Sequence, residues 1–355
     1  MTIVRVAHPG ADYQVIVGPL AEALPTLVGL GGGELLPVIS DARVFELHGP
    51  QLVDVALADP ILLPEGEAAK DWATLGDIVE RLAALGVKRG TPVVAFGGGS
   101  IGDVAGLAAS LFKRGCPIVH VPTTLLAQVD SAVGGKTAID AAGQKNLVGS
   151  FHHPALVIAD PSLLDTLDQL QLRSGYAEVI KYGLIDDPDF FQWCETSADR
   201  LLGGDFAVRQ QAVEHCVGAK VRIVSADPGD SSGIRALLNF GHTFGHAIEA
   251  VGGHRILHGE AVALGMVLAF DLSARLSMCP LDDAVRVKTH VQSIGLPVEL
   301  GQLGLSGPDI FTAMQSDKKA TRRGLTLVLT RGIGQAFVCK EADSDALRNF
   351  LATSA

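Results

Sequence analysis

At 355 residues, 48% hydrophobic and 19% charged, the chain is long enough for two domains with buried cores and too apolar to be disordered. A formal net charge of -11 leaves no basic stripe to follow a phosphate backbone, which excludes nucleic acid as a partner. The five cysteines, Cys116, Cys194, Cys216, Cys279 and Cys339, show no CxxC spacing, which excludes a thiolate zinc site and fits reduced thiols in a cytoplasmic protein.

The N-terminus carries no apolar run of signal-peptide length. A short strand is predicted at 13–17, a helix at 20–28 and an apolar strand at 35–40 that ends on Asp41. Residues 53–58 read as another strand. Trp72, Leu75, Val79, Leu82 and Leu85 recur at helical spacing, so an amphipathic helix is expected to end near Gly86. The continuous apolar run 92–96 suits a parallel strand covered on both faces. A glycine loop, a helix at 104–112 and strands at 118–121 and 156–159 follow. Such alternation predicts a parallel, nucleotide-binding type of sheet.

Beyond about Pro161 the pattern turns helical, with helices expected at 174–185, 189–200, 206–226, 235–250, 260–275 and 282–294. One hairpin is expected, 325–330 with 335–339, joined through Gly332 and Gly334. The longest apolar run, 261–270, lies between Glu260 and Asp271 and is too short to cross a bilayer, so it reads as a buried helix and no membrane partner is expected. The fold class is therefore α/β: a Rossmann-like parallel-sheet domain at 1–165, a mainly α-helical domain at 166–355, and an active site in the cleft between them.

Two stretches carry chemistry. In 235–260, His242 and His246 are four apart on a predicted helix and share a face, and His258 follows the break at Gly252-Gly253. Imidazoles gathered at helix ends suit a divalent transition metal. Packed histidines show the same spacing, and Thr243 stands where a zinc protease has Glu, so both alternatives stay open; a missing ligand, a carboxylate, has to come from elsewhere. The second stretch, GGGSIGD at 97–103, fits GxGxxG between a strand and a helix, where backbone N–H groups meet a pyrophosphate. Tight turns share this pattern. No acid follows about 20 positions later as in the usual fingerprint; Asp41 stands upstream instead, and Asp103 would repel a phosphate unless it faces sugar or nicotinamide.

The block PTTLLAQVDSAVGGKTAID at 122–140 decides between these alternatives. With PEGEAAK (64–70), GGGSIGD (97–103), QKNLVGSFHHP (144–154), RSGYAEVIKYG (173–183), LLNFGHTFGHAIE (237–249), HGEAV (258–262) and DKK (317–319), the chain closely resembles the 3-dehydroquinate synthase family along nearly its whole length.

The resemblance implies a lyase of the shikimate pathway, acting in chorismate and aromatic amino-acid biosynthesis on a small anionic sugar phosphate, 3-deoxy-D-arabino-heptulosonate 7-phosphate. It implies NAD and one divalent metal per subunit, Zn2+ or Co2+, held by Glu178, His242 and His258; His246 then resembles a substrate contact. NAD would be held by Asp41, Glu67, Lys70, Gly98, Gly99, Ser100, Ile101, Gly102, Asp103, Thr123, Thr124, Lys136, Lys145, Leu163, Leu164, Asp165 and Thr166. The substrate pocket would comprise Asp130, Lys136, Asn146, Lys181, Lys220, Arg235, Asn239, His246 and Lys318. Arg114 matches an arginine that reaches a neighbouring subunit's site, which implies a homodimer. The cations fit a substrate carrying phosphate and carboxylate, because an acidic chain has to concentrate positive charge locally.

The implied reaction is redox-neutral: oxidation by NAD, phosphate elimination, return of the hydride, ring opening and an intramolecular aldol closure. Departures from the family pattern are small. Ser100 replaces a common apolar residue, and DPGDSSG at 227–233 lacks the usual acidic run. His152 and His153 fall at a variable position and are not read as a metal site. The alternatives are another sugar phosphate cyclase making inosose- or valiolone-type rings, an iron-type alcohol dehydrogenase, which uses Asp with three His, and a non-catalytic NAD-binding module.

Overall fold

An antiparallel pair, β1 (Thr2–His8) and β2 (Ala11–Val17), opens the chain. Then come α1 (Leu20–Leu30), β3 (Val38–Asp41), α2 (Ala42–His48), β4 (Ile61–Leu63), α3 (Trp72–Ala84), β5 (Val93–Gly97), α4 (Gly99–Leu111) and β6 (Ile118–Pro122). The hairpin β7 (Lys136–Ala141) and β8 (Gln144–Phe151) precedes β9 (Leu156–Ala159). Seven strands form one sheet in the order β1-β2-β9-β6-β5-β3-β4, parallel except for the first pair. From β3 the chain goes outward to β4 and then back to β5, so the order reverses between β3 and β5. In such sheets ligands bind beyond the carboxyl ends of the strands at the reversal, where Asp41 and the 97–103 loop stand.

The inner strands are apolar on both faces because both are covered. Val93 and Ala95 of β5 join α3 and α4 in one core, which includes Leu75, Ile78, Val104 and Ala108. Val94 and Phe96 point into the other, with Leu20 and Leu27 of α1 and Leu52. That alternation pins the register of β5, since a one-residue slip would exchange the two cores.

The structure, a computed structural model, describes residues 1–8, 10–227, 233–316 and 325–354. They group into two units, Met1–Asp168 with Gly204–Ser225, and Gln169–Gly203 with Ala226–Ala355. After β9 come α5 (Gln169–Asp186), α6 (Pro188–Leu202), α7 (Phe206–Ala226), α8 (His242–Gly252), α9 (His258–Arg275), α10 (Leu281–Ser293) and α11 (Gly307–Ser316). The hairpin β10 (Leu325–Thr330) and β11 (Ala336–Ala342) and the helix α12 (Ser344–Thr353) complete the second unit. A division at 165/166 misses that most of α7 groups with the sheet. The apolar run 261–270 is buried inside α9, and no described helix is long and apolar enough to cross a membrane.

Several expected elements differ. Residues 53–58 are not a strand: Val55 N–H closes a turn on Leu52 O at 2.9 Å, Val53 is 72% exposed, and β4 forms farther on. Helix α4 starts at Gly99, not 104, so the glycine loop is itself the first helical turn. The expected helix 235–250 is broken. A 3-10 turn at Arg235–Asn239 ends at Gly241, whose φ of +79° is left-handed, and α8 starts at the next residue. A Cβ on Gly241 would lie 2.5 Å from Met266 Cγ and 2.8 Å from Val262 O, so α8 and α9 meet there at glycine distance.

Candidate active site

At the carboxyl ends of β5 and β6 lies a pocket lined by Gly98, Gly99, Gly102, Asp103, Lys136 and His120, among others. The start of α4 contributes its free N–H groups here. Asp103 is not an isolated charge. Lys70, 3% exposed, places its Nζ 2.8 Å from Asp103 Oδ2 and 3.6 Å from Glu67 Oε2, and also donates to Asn146 Oδ1. Burial opposes the charge on Lys70, but Asp103, Glu67 and Asp140 outweigh it and raise its pKa. Four implied residues, Glu67, Lys70, Asp103 and Asn146, thus meet in one network, and Asp103 is neutralised where a phosphate would otherwise be repelled.

The other residues implied for NAD divide by what they offer. Asp41 is buried at the end of β3, where its Oδ1 accepts the Val44 N–H at 2.8 Å and caps α2. Thr124 Oγ1 accepts from Ala127 N at 3.3 Å, and Thr123 is buried beside it. Thr166 Oγ1 meets His48 Nε2 at 2.7 Å, and Asp165 pairs with Arg209 at 2.7 Å. Ile101, Leu163 and Leu164 are buried apolar residues. Ser100 is half-buried in the first turn of α4, and Lys145 is exposed on β8. Lys220, 8% exposed, donates to both the backbone O and the Oδ1 of Asp130, each at 2.6 Å. Sequence reasoning overlooked His120, Asp140 and Arg209.

In the second unit, Glu178 of α5 and the first residues of α8 and α9, His242 and His258, bring ligand atoms within 4.8 Å of one another. Glu178 is fully buried. Its Oε1 faces His242 Nε2 at 3.5 Å and His258 Nε2 at 3.4 Å, while Lys181, 1% exposed, pairs with its Oε2. Each imidazole is oriented through its other nitrogen: His242 Nδ1 meets Phe240 O at 3.1 Å, and His258 Nδ1 meets Glu249 Oε2 at 3.2 Å. Burial pushes His242 down to about 3, with Glu178 opposing, so its imidazole is neutral at physiological pH. Burial works against charge on His258 too, but Glu178 and Glu249 outweigh it and push it up to about 10. One buried carboxylate oxygen facing two inward Nε2 atoms fits a Zn2+- or Co2+-type divalent ion.

His246 stays outside this cluster. Its ring lies 5.7 Å from that of His242, and the residue is exposed. Glu249 was passed over, although its spacing of four and three from His242 through His246 places all three on one helix face. Arg235 is 5% exposed, and Asp227 Oδ2 accepts from both Gly233 N at 3.1 Å and Arg235 N at 3.3 Å. Asn239 is half-buried in the same 3-10 turn.

Residues 60–174 match the model of the 3-dehydroquinate synthase N-terminal domain, and residues 175–320 that of its C-terminal domain. The chain belongs to the 3-dehydroquinate synthase family. A 3-dehydroquinate synthase from Rhodospirillum rubrum is 46% identical over 97% of this chain and 92% of its own length. One from Caulobacter vibrioides is 47% identical over 96% and 95%. Among solved structures, a 2-epi-5-epi-valiolone synthase from Streptomyces hygroscopicus, with NAD+ and Zn2+ bound, is 29% identical over 98% of both chains, with a TM-score of 0.89. A 2-deoxy-scyllo-inosose synthase complexed with carbaglucose-6-phosphate, NAD+ and Co2+ is 26% identical over the full length of both, with a TM-score of 0.87. Of the remaining residues implied by the 3-dehydroquinate synthase family, Arg114 is exposed on a turn with φ +64°, and Lys318 lies outside the described residues.

Proposed function

We propose that the chain is a 3-dehydroquinate synthase, a lyase of aromatic biosynthesis that converts 3-deoxy-D-arabino-heptulosonate 7-phosphate into 3-dehydroquinate and phosphate. The observation that carries this is the Glu178, His242 and His258 cluster, within 4.8 Å, in a chain 46% identical over 97% of its length to a named synthase.

NAD belongs to the first unit, and the metal to the second. When bound, a Zn2+ or Co2+ ion on Glu178, His242 and His258 supplies a Lewis acid for the hydroxyl to be oxidised, and NAD supplies the hydride acceptor. The chain does the rest by holding charge in place. Lys181 occupies Oε2 of Glu178 and leaves Oε1 facing the same space as the two imidazole Nε2 atoms, where one ion would take all three. Lys70 neutralises Asp103, so the helix N-terminus can take a pyrophosphate beside it. Lys136, Lys220, Arg235 and Lys318 answer the substrate's phosphate and carboxylate, and Asp130, Asn146, Asn239 and His246 its hydroxyls. Such fixed charges need no reorganisation during turnover.

Arg114, held in a left-handed backbone conformation and exposed, reaches the site of a second subunit in a cytoplasmic homodimer. Sedimentation as a monomer during full activity would remove that part of the proposal.

Other cyclases of this architecture are the second reading, favoured by the inosose and valiolone synthase structures at 26% and 29% identity. The higher identity to dehydroquinate synthases argues for the first. Product identification separates them: with the heptulosonate phosphate, NAD and metal, 3-dehydroquinate is expected. Turnover only of a hexose or heptulose phosphate into an inosose- or valiolone-type ring would overturn the proposal.

A further inference from the structure

We propose that Glu249 is a positioning residue for the metal centre: its carboxylate holds the His258 imidazole with Nε2 turned to Glu178 and strengthens the site's grip on a divalent cation. This rests on the reading of Glu178, His242 and His258 as the ligand set.

The three ligands are not equally fixed by packing. The Glu178 side chain is 0% exposed and that of His242 11%, but that of His258 is 34% exposed. Burial therefore leaves the His258 ring free to turn unless a hydrogen bond holds it. Glu249, with a side chain only 9% exposed, supplies that bond, accepting from Nδ1 at 3.2 Å. A proton fixed on Nδ1 leaves the Nε2 lone pair for the ion. The geometry follows from α8. Its first residue is the ligand His242, and Glu249 lies two turns on along the same face, where it meets the first residue of α9.

Charge gives Glu249 a second role. His242 leans on a neutral acceptor, the Phe240 carbonyl. Lys181 is paired with Glu178, so the negative charge among the ligands is already balanced. Once an ion has displaced the Nε2 proton of His258, two neutral imidazoles and a neutralised carboxylate hold a dication weakly. Glu249 adds a carboxylate one hydrogen bond behind the ligand, in a buried place where solvent screens it little.

The test is metal affinity, read without turnover. Parent, Glu249→Gln and Glu249→Ala proteins are stripped with a chelator, and their Kd for Zn2+ and for Co2+ is measured by competition with a chromophoric chelator. Glutamine keeps an acceptor for Nδ1 but not the charge, so about a tenfold weakening is expected. Alanine removes both, and the weakening is expected to approach a hundredfold, with a changed Co2+ absorption spectrum, the usual span for such outer partners being about 10–100-fold. The metal-free Gln variant is expected to unfold in one cooperative transition, at a midpoint somewhat below the parent's because it loses the charge beside His258, and this variant alone decides if the Ala variant does not fold. Affinities equal within twofold in parent and Gln variant overturn the role of Glu249. A parent that binds neither ion overturns the ligand set itself.

Discussion

Gly259 sits directly on the backbone of Ser174. Its N–H donates to Ser174 Oγ at 3.0 Å, and a Cβ added to it would lie 1.9 Å from the Ser174 carbonyl oxygen. The contact joins the residue after His258 to the residue one helical turn before Glu178, so it sets the distance between two of the three candidate ligands.

Gly259→Ala is expected to force α9 away from α5. Overpacking costs about 1–3 kcal/mol, and a rigid backbone oxygen at this distance places the cost at the upper end. Denaturant unfolding should show that loss, and metal content after purification should fall with it. Parent-like metal content would contradict the coupling.

His246→Ala is expected to lower kcat/KM by about tenfold to a hundredfold, one hydrogen bond to a charged group being worth about 1.5–3 kcal/mol. Metal content should stay at the parent level, because Glu178, His242 and His258 form the cluster without His246. A metal-poor His246→Ala protein would show that the i, i+4 pair binds the ion instead.

That contrast shows how far the sequence could be read. Spacing pairs His242 with His246, but Gly241 starts α8 at His242, and the second imidazole comes from the start of another helix. No periodicity in 235–260 points to Glu178; only the resemblance in its AEVIK stretch did so. The sheet was legible because its inner strands are buried on both faces. The β7–β8 hairpin was not, since most of β8 is exposed and shows no apolar alternation. Residues 53–58 misled for the opposite reason: Val53, Val55 and Leu57 alternate as a strand would, but Val53 is exposed while Val55 is buried, because the backbone turns there.

Lys70→Met is expected to leave Asp103 without its counter-charge. Breaking a buried pair costs about 3 kcal/mol or more, and the 21% exposure of the Asp103 side chain places this case at the lower end. NAD binding, read by titration calorimetry, should weaken as well. Adding Asp103→Asn should restore much of the lost stability, and additive losses in the double variant would show that the pair is not coupled.

Burial, with His152 nearby, pushes His120 down to about 4 from 6.5. Between these values the unfolded chain takes a proton that the folded chain refuses. The contribution to stability is therefore full above about pH 6.5 and falls as pH drops toward about 4, by about 3 kcal/mol in all at about 1.4 kcal/mol per unit. Urea midpoints for parent and His120→Gln should diverge in slope across this window. Identical slopes would remove His120 as the titrating group.

The most direct test of the synthase function follows phosphate release and the reduced-nicotinamide absorbance in one cuvette, with the heptulosonate phosphate, NAD and metal. The hydride taken early is needed later in the same cycle, so phosphate should accumulate over many turnovers while the absorbance stays flat at steady state. NADH growing in step with product would mark a dehydrogenase and contradict the assignment.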